Sequence, residues 1–209
     1  MFSNLYINKF SFYRPPKENP SETPKLAYID SLFKRRLSQL SRMTIEVIHQ
    51  VKDSAPEAKI VFTSFRGEIG RQLKINRGLV DDFAILPAQF SLSVFNTPPA
   101  VATIALQIKN GYTALYPSEH RLYDAFMAAV APVLAGIEKQ VIFAYGDELI
   151  PKDYESIKTD DEKKLFPLAF ALVISAEKTA GACVVPEGIE KFSPEDFLFY
   201  VQKNGKAHD

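Results

Sequence analysis

Short runs of hydrophobic residues along the chain predict five β-strands. Residues 5–10 alternate between apolar and polar positions, a pattern typical of a strand with one covered face. Four later runs are more continuously apolar, which is typical of strands buried within a sheet; they lie at 58–65, 112–116, 139–147 and 165–175. We therefore expect a central sheet with most of its strands covered.

Helical periodicity predicts helices between these strands. Residues 29–54 predict one long amphipathic helix with Asp30 or Ser31 as its N-cap. Its apolar stripe consists of Phe33, Leu37, Leu40, Thr44, Val47, Ile48 and Val51. The sequence RGEIGR, residues 66–71, has the glycines of a tight turn between a strand and a helix.

Three further helices are predicted from residues that are typical of helix ends. Asn96 or Thr97, followed by two prolines, predicts the start of a helix over 100–108 that ends at Asn110. An alanine-rich helix follows over 119–136, and we predict Ser118 as its cap. The last helix, 193–205, has Ser193 as cap, Asp196 in a capping box and Gly205 as its stop, by the same reasoning.

Strands that alternate with helices indicate a single α/β domain over residues 1–209, with helices covering at least one face of the sheet. Residues 15–25 are rich in proline and predict a loop, because proline removes a backbone donor. Residues 151–164 carry many charges of both signs and predict a surface loop. The sequence contains no internal repeat.

Composition narrows the classes of function. The 25 basic and 25 acidic residues give zero net charge, which argues against binding nucleic acid or an anionic membrane. The single cysteine excludes an internal disulfide and fits a reducing compartment. Neither a secretory signal nor a membrane-spanning run is apparent, so we expect a cytoplasmic protein. The three histidines are too scattered for a metal site.

Four motifs resemble the ketoacyl-synthase branch of the thiolase-like superfamily, and specifically its stand-alone N-terminal proteins of the chain-length-factor type. The motifs are FKRRLSQLSRM, FTSFRGEIG, LPAQFSLSVFNTPPAVATIAL and YTALYPSEHRLYDAF, and they occur in the family's order. The resemblance implies half of a thiolase-like fold, with a mixed, mainly parallel five-stranded sheet covered by helices. It implies no cofactor and no metal.

The last motif contains the position at which active ketoacyl synthases carry their nucleophilic cysteine. When the motif is aligned without gaps, Thr113 and Ala114 match the residues before that cysteine, and His120 matches a later histidine. The cysteine itself falls on Leu115, where chain-length factors typically carry glutamine. Leucine cannot hold an acyl chain as a thioester. Cys183 lies in an unrelated segment, and we expect the family's second half, with its two histidines, to be missing.

The resemblance therefore implies a non-catalytic accessory subunit of a type II fatty-acid or polyketide pathway, of the aryl-polyene type. It would pair with an active ketoacyl synthase, using the strand Tyr112–Leu115 across the dimer axis. The acyl-tunnel wall would consist of Phe90, Phe95, Leu115 and Tyr116. The alternative is that Leu115 is an ordinary core residue of a strand, but the register of the surrounding motif favours the nucleophile position.

Three alternatives remain at the level of sequence. The basic residues Lys34, Arg35, Arg36 and Arg42 form either the solvated face of an amphipathic helix or a docking site for acyl carrier protein. The chain is either an accessory subunit or a homodimeric module that binds an acyl chain or an acyl carrier. A third hypothesis, an unrelated enzyme that uses His120 or Glu68, requires a shifted pKa and a nearby partner.

Overall fold

The computed structural model describes residues 4–85, 87–118, 121–158 and 165–205. Within them, six strands form one sheet in the order β3-β2-β4-β5-β1-β6. The strands are β1 (Tyr6–Tyr13), β2 (Lys59–Thr63), β3 (Tyr112–Leu115), β4 (Gln140–Asp147), β5 (Leu168–Ser175) and β6 (Cys183–Val184). Strand β2 is parallel to β3 and β4, and the other three pairs are antiparallel.

Seven α-helices accompany the sheet in the described residues. They are α1 (Ser31–Lys34), α2 (Gln39–Val51), α3 (Ile69–Asp81), α4 (Pro87–Phe90), α5 (Thr97–Leu106), α6 (Leu122–Leu134) and α7 (Pro194–Asn204). Short 3₁₀ helices lie at Lys52–Ser54, Lys152–Ile157 and Ile189–Lys191. None of these helices is long and apolar enough to cross a bilayer.

The sheet is covered on both faces because successive side chains of a strand point to opposite sides. Along β4, Phe143 and Tyr145 pack with α6 and α7, whereas Ile142 and Ala144 pack with α2 and α5. On the first face, the ring of Phe126 in α6 lies 5.5 Å from both Phe143 and Phe197 in edge-to-face contacts. These two apolar layers therefore cover both faces of the sheet.

The mixed α/β fold class is confirmed, but two details of the predicted sheet were wrong. Strand β6 has only two residues, too few to show alternation, and it pairs with Tyr6 and Ile7 of β1. The sheet is also not mainly parallel by pairing. Parallel neighbours need a long crossover, and the described part of the β4–β5 connection contains only the 3₁₀ helix Lys152–Ile157.

Three predicted helix boundaries were also wrong. The long helix breaks between α1 and α2, because the Ser38 hydroxyl accepts a hydrogen bond from Ser41 N at 2.9 Å and caps α2. Helix α5 ends at Leu106, before the predicted stop, because Gln107 adopts the left-handed conformation. Helix α6 begins at Leu122 with Arg121 as its N-cap residue, so Ser118 is not the cap.

Other boundaries agree with the sequence. Asp30 caps α1 by accepting hydrogen bonds from the amides of Leu32 and Phe33. Ser193 and Asp196 form the capping box of α7, which ends before Gly205. Residues 15–25 lie outside the helices and strands. In the predicted charged loop 151–164, residues 159–164 lie outside the described part of the chain.

We predict that Phe126→Ala lowers the free energy of unfolding by about 3–5 kcal/mol, because it leaves a cavity beside the buried rings of Phe143 and Phe197. Urea denaturation followed by circular dichroism measures this loss. Phe199→Ala, on the exposed side of α7, is the matched control and should change stability little. Equal effects of the two substitutions would contradict the proposed layer structure.

Candidate functional site

The strand β3 lies at an edge of the sheet. In the described residues it pairs with β2 alone, from Ile60 opposite Tyr112 to Thr63 opposite Leu115. All four of its residues are half-buried. One side of β3 therefore presents unpaired backbone groups, which favour the addition of another strand.

Leu115 is the last residue of β3. Its carbonyl oxygen accepts a hydrogen bond from the Thr63 hydroxyl at 2.9 Å, and its side chain packs against the core layer that contains α6. Tyr112 and Ala114 pack against the opposite layer. The structure thus places an aliphatic side chain at the end of an edge strand, directly before the turn that leads toward α6.

An aromatic cluster lies beside this strand end. The rings of Phe95 and Tyr116 meet edge-on with centroids 5.6 Å apart, and Phe95 lies 6.2 Å from Phe62. Tyr116 is 63% exposed, and so is most of Phe90, which lies on α4 and makes no ring contact with another described residue. The predicted tunnel wall is therefore an open surface in the isolated chain, and Phe90 stands apart from the cluster.

The one cysteine of the chain lies at the other edge of the sheet. Cys183 is in β6, five strands away from β3, a separation of about 24 Å at the usual strand spacing. It is 5% exposed, and burial raises the pKa of its thiol. A buried thiol with a raised pKa is a poor nucleophile. Cys183 therefore supplies no thiolate to the surface around Leu115.

The predicted turn between β2 and α3 is built around Asp147, the last residue of β4. Its carboxylate accepts hydrogen bonds from the Ser64 hydroxyl at 2.7 Å and from the amides of Phe65 and Arg66 at 3.2 and 3.1 Å. The Ser64 hydroxyl oxygen in turn accepts from the amide of Gly67, which has a φ of +59°. These amides are occupied by protein groups, so the turn is structural and not a phosphate loop.

Two buried carboxylates lie behind this turn. Glu68 is fully buried and accepts hydrogen bonds from the Ser38 and Ser41 hydroxyls at 2.8 and 2.6 Å, and from Arg71 at 3.0 Å. Glu148 accepts from the amides of Leu40 and Gly70 at 3.2 and 2.9 Å. Burial and then the charge of Glu68 raise the pKa of Glu148 to about 7. Burial also raises the pKa of Glu68.

A broad groove opens next to the carboxylate pair. It has a volume of about 820 Å³ and lies between α1 and the starts of α2 and α3 on one side and α4 and α5 on the other. Arg35, Arg36, Arg71 and Lys74 contribute cationic side chains, and Glu148 lies at its base. The sequence did not predict this groove, because it depends on the break between α1 and α2.

The four basic residues predicted to dock a carrier protein differ in their contacts within the chain. Arg35 and Arg36 are exposed and line the groove. The Lys34 ammonium donates to the Lys25 carbonyl at 3.4 Å. Arg42 donates to the Lys34 carbonyl at 2.7 Å and to the Thr23 hydroxyl at 3.2 Å. Arg42 therefore fastens the proline-rich loop to α1, whereas Arg35 and Arg36 remain available to a partner.

The hypothesis of an unrelated enzyme that uses Glu68 or His120 meets only part of its requirements in the described residues. Glu68 has a raised pKa and hydrogen-bonding partners, as that hypothesis requires, but its side chain is fully buried and cannot touch a substrate. His120 lies outside the described residues. His49 stacks on Tyr28 with ring centroids 3.7 Å apart, so it is packed rather than free on an exposed face. In the described residues, no group of three or more potential ligands could hold a metal ion.

Comparison with known proteins identifies the fold and the family of this chain. The mixed sheet with helices on both faces is half of a thiolase-like fold. Residues 12–195 match the β-ketoacyl synthase N-terminal domain, and the chain belongs to this family. A search of curated proteins gives no match.

Three solved structures illustrate the similarity. A ketosynthase (ApeO) in complex with its chain length factor (ApeC) from Xenorhabdus doucetiae gives a TM-score of 0.71 at 22% identity, over 85% of this chain and 80% of the other. The ishigamide ketosynthase/chain length factor gives 0.61 at 11%, over 82% and 62%. A β-ketoacyl synthase from Burkholderia phymatum STM815 gives 0.59 at 8%, over 82% and 58%. Identities this low show a shared fold.

Sequence reasoning missed the roles of Asp147, Glu148 and Arg71. The signal was present in part, because two adjacent acidic residues at the end of a strongly apolar strand are unusual. What the sequence lacked was the partner of each carboxylate, since the partners lie about 80 to 110 positions away along the chain.

We predict that Glu148 makes the protein less stable as the pH rises from about 4.5 to about 7. Its pKa is higher in the folded than in the unfolded chain, so the folded state holds the proton over this range and loses stability when it is removed. The loss is on the order of 3 kcal/mol. Urea denaturation at pH 5 and pH 7.5 measures it.

Glu148→Gln should show a distinctly smaller fall between the two pH values, because the variant has no proton to lose at this position. Glu190→Gln, which changes an exposed carboxylate on a short 3₁₀ helix, should keep the wild-type fall. An unchanged fall in Glu148→Gln would show that Glu148 is not the group that titrates.

Proposed function

We propose that this chain is a non-catalytic, chain-length-factor-like subunit that pairs with an active ketoacyl synthase. The observation that carries the proposal is Leu115 at the end of the edge strand β3, with the only cysteine of the chain at the opposite edge of the sheet. Family membership supports the comparison of Leu115 with the nucleophile position of active members.

The chemistry of condensation explains why Leu115 argues against independent catalysis. A ketoacyl synthase forms a thioester with a cysteine thiolate, and polar side chains then stabilise the oxyanion that develops on the thioester. Leucine has neither a nucleophilic atom nor a proton to exchange. A hydrocarbon side chain here is instead suited to contact the apolar part of a growing acyl chain.

The proposed partner is a synthase subunit that adds its own strand to β3. The open edge of Tyr112–Leu115 supports this role, because natural proteins seldom leave such an edge uncovered. The similar structure from Xenorhabdus doucetiae is a ketosynthase with its chain length factor, and the matched chain there is close to this one in length. Both facts favour pairing with a second ketoacyl-synthase-like subunit.

In such a pair, Leu115, Phe95 and Tyr116 would supply one wall of an acyl tunnel, and the partner would supply the opposite wall. The exposure of Tyr116 in the isolated chain supports this division, because large aromatic side chains are usually buried in an assembly. Arg35 and Arg36 are the candidates for contact with an acidic acyl carrier protein. An aryl-polyene-type pathway and a cytoplasmic location complete the proposal.

Native mass spectrometry after co-expression with a ketoacyl synthase encoded beside this chain tests the pairing. We expect a one-to-one heterocomplex, and we expect Thr113→Lys to abolish it, because a charge on β3 opposes burial of the edge. Val184→Lys places the same charge on β6, at the other edge, and should leave the complex intact. Equal effects of both substitutions would overturn the assignment of β3 as the interface.

A second test addresses the tunnel wall. Leu115→Ala enlarges the space at the end of β3, so the heterocomplex should release longer acyl products, as measured by mass spectrometry of the product mixture. Leu115→Met keeps the volume nearly constant and should leave the product distribution unchanged. Unchanged product length and unchanged partner binding in Leu115→Ala would exclude a role for Leu115 in the tunnel.

The homodimeric binding module is the alternative reading of the same edge strand. It predicts a stable self-dimer that persists when the synthase is present, with Thr113→Lys giving monomers. In that case β3 would still be the interface, but Leu115 would be an interface residue without a role in product length. The native mass spectra therefore separate the two functions directly.

A further inference from the structure

The groove between α1, α2, α3, α4 and α5 is separate from the surface around Leu115. Its lining contains no residue of β3 and none of the four predicted tunnel residues. Its volume of about 820 Å³ is within the range of small-molecule sites. Part of the wall is apolar and continuous with the core layer of α2 and α5, and consists of Phe33, Leu37, Ala88, Leu92, Val101 and Ile104.

The cations of the groove are largely uncompensated. Arg35, Arg36 and Lys74 form no ion pair with any described residue, while Arg71 is held by Glu68 at 3.0 Å and by the Arg36 carbonyl. Three cationic groups without partners on the lining of one groove create a positive local field in a protein of zero net charge. Such a field favours an anionic ligand.

The two acidic groups nearby do not cancel this field. Glu68 is sealed from the groove and satisfied by Ser38, Ser41 and Arg71. Glu148 reaches the base of the groove, but its two oxygens accept hydrogen bonds from the amides of Leu40 and Gly70. These amides stand at the starts of α2 and α3, where the helix dipoles offset negative charge.

We propose that this groove binds an amphipathic anion, a carboxylate with a single unbranched hydrocarbon chain. The anionic head would contact Arg35, Arg36 and Lys74, and the chain would lie along Leu92, Val101 and Ile104. This binding requires neither a synthase partner nor the edge strand, so it is tested on the chain alone. It does use Arg35 and Arg36, which are also the residues proposed above to contact an acyl carrier protein.

Isothermal titration calorimetry of the purified full chain with decanoate tests the proposal. We expect one binding site, and tighter binding of dodecanoate by roughly 15-fold, because each of its two additional methylenes contributes a factor of about four when fully buried. Decanol, which lacks the charge, should bind more weakly than decanoate. Inorganic phosphate, which has the charge but no hydrocarbon chain, should not bind detectably.

Two groove variants and one matched control assign the site. Arg35→Gln/Arg36→Gln should weaken decanoate binding about two- to 25-fold, since each exposed ion pair changes an equilibrium by a factor of about 1.4 to 5. Ile104→Glu, at a largely exposed position of α5, should weaken it further by repelling the chain. Lys191→Gln/Lys203→Gln removes the same charge from exposed positions outside the groove and should bind normally.

Four outcomes would overturn the proposal. The first is that neither decanoate nor dodecanoate binds. The second is that decanol binds as tightly as decanoate. The third is that the control double variant loses as much affinity as Arg35→Gln/Arg36→Gln. The fourth is that Ile104→Glu changes the mass of the native assembly without changing decanoate binding, which would make the groove a protein interface.

Discussion

The carboxylates of Asp147 and Glu148 hold together the end of the molecule where every candidate site lies. Asp147 fixes the turn between β2 and α3, and Glu148 joins the start of α2 to the start of α3 through the amides of Leu40 and Gly70. Without them, three chain segments would end near one another with unsatisfied amides. The position of α3, and with it one wall of the groove, depends on these few hydrogen bonds.

This arrangement is stable only because each buried carboxylate is thoroughly hydrogen-bonded. Removing a charge from water is costly unless donors replace the solvent. Asp147 accepts from the Tyr145 hydroxyl at 2.6 Å as well as from the turn, and the Arg66 guanidinium lies 3.4 Å away. Glu148 accepts from two backbone amides and has a second carboxylate, Glu68, nearby. Burial and then the charge of Glu68 outweigh these amides and raise the pKa of Glu148.

The sequence revealed the apolar part of the structure more completely than the polar part. Strands β2, β4 and β5 and the helix α7 were evident, because periodicity and capping are local properties. The break before Ser38 was missed, since the apolar stripe continues through Leu37 and Leu40 while the Ser38 cap is stabilised by Glu68, 30 residues later. The groove follows from that break, so it could not be predicted either.

The strand β3 illustrates the same limit for the candidate site. Its residues were predicted as a strand, and the family resemblance placed Leu115 at its end, but a single sequence cannot show whether a strand is central or at an edge. The residues that surround Leu115 could not be predicted from the sequence either. The contact of Phe95 with Tyr116 joins a turn before α5 to the end of β3, across about 20 residues of chain. Only the folded sheet brings these groups together.

Helix α3, which begins near the end of the molecule where β3 ends, lies at the surface along its whole length. None of its 13 residues, all of them described, is buried, although it carries Leu79 and Val80, and Phe83 just beyond it is 89% exposed. A helix gains little stability from propensity alone, and α3 includes Gly78, which lowers it further. The cost of presenting such a helix to water would be offset if a second subunit covered it. A Cβ at Gly67 would meet the Phe95 ring at 3.0 Å, so the turn before α3 lies against Phe95. A partner that covers Phe95, as proposed above, would therefore lie beside the first turn of α3 and would have to extend along the helix to cover Leu79 and Val80.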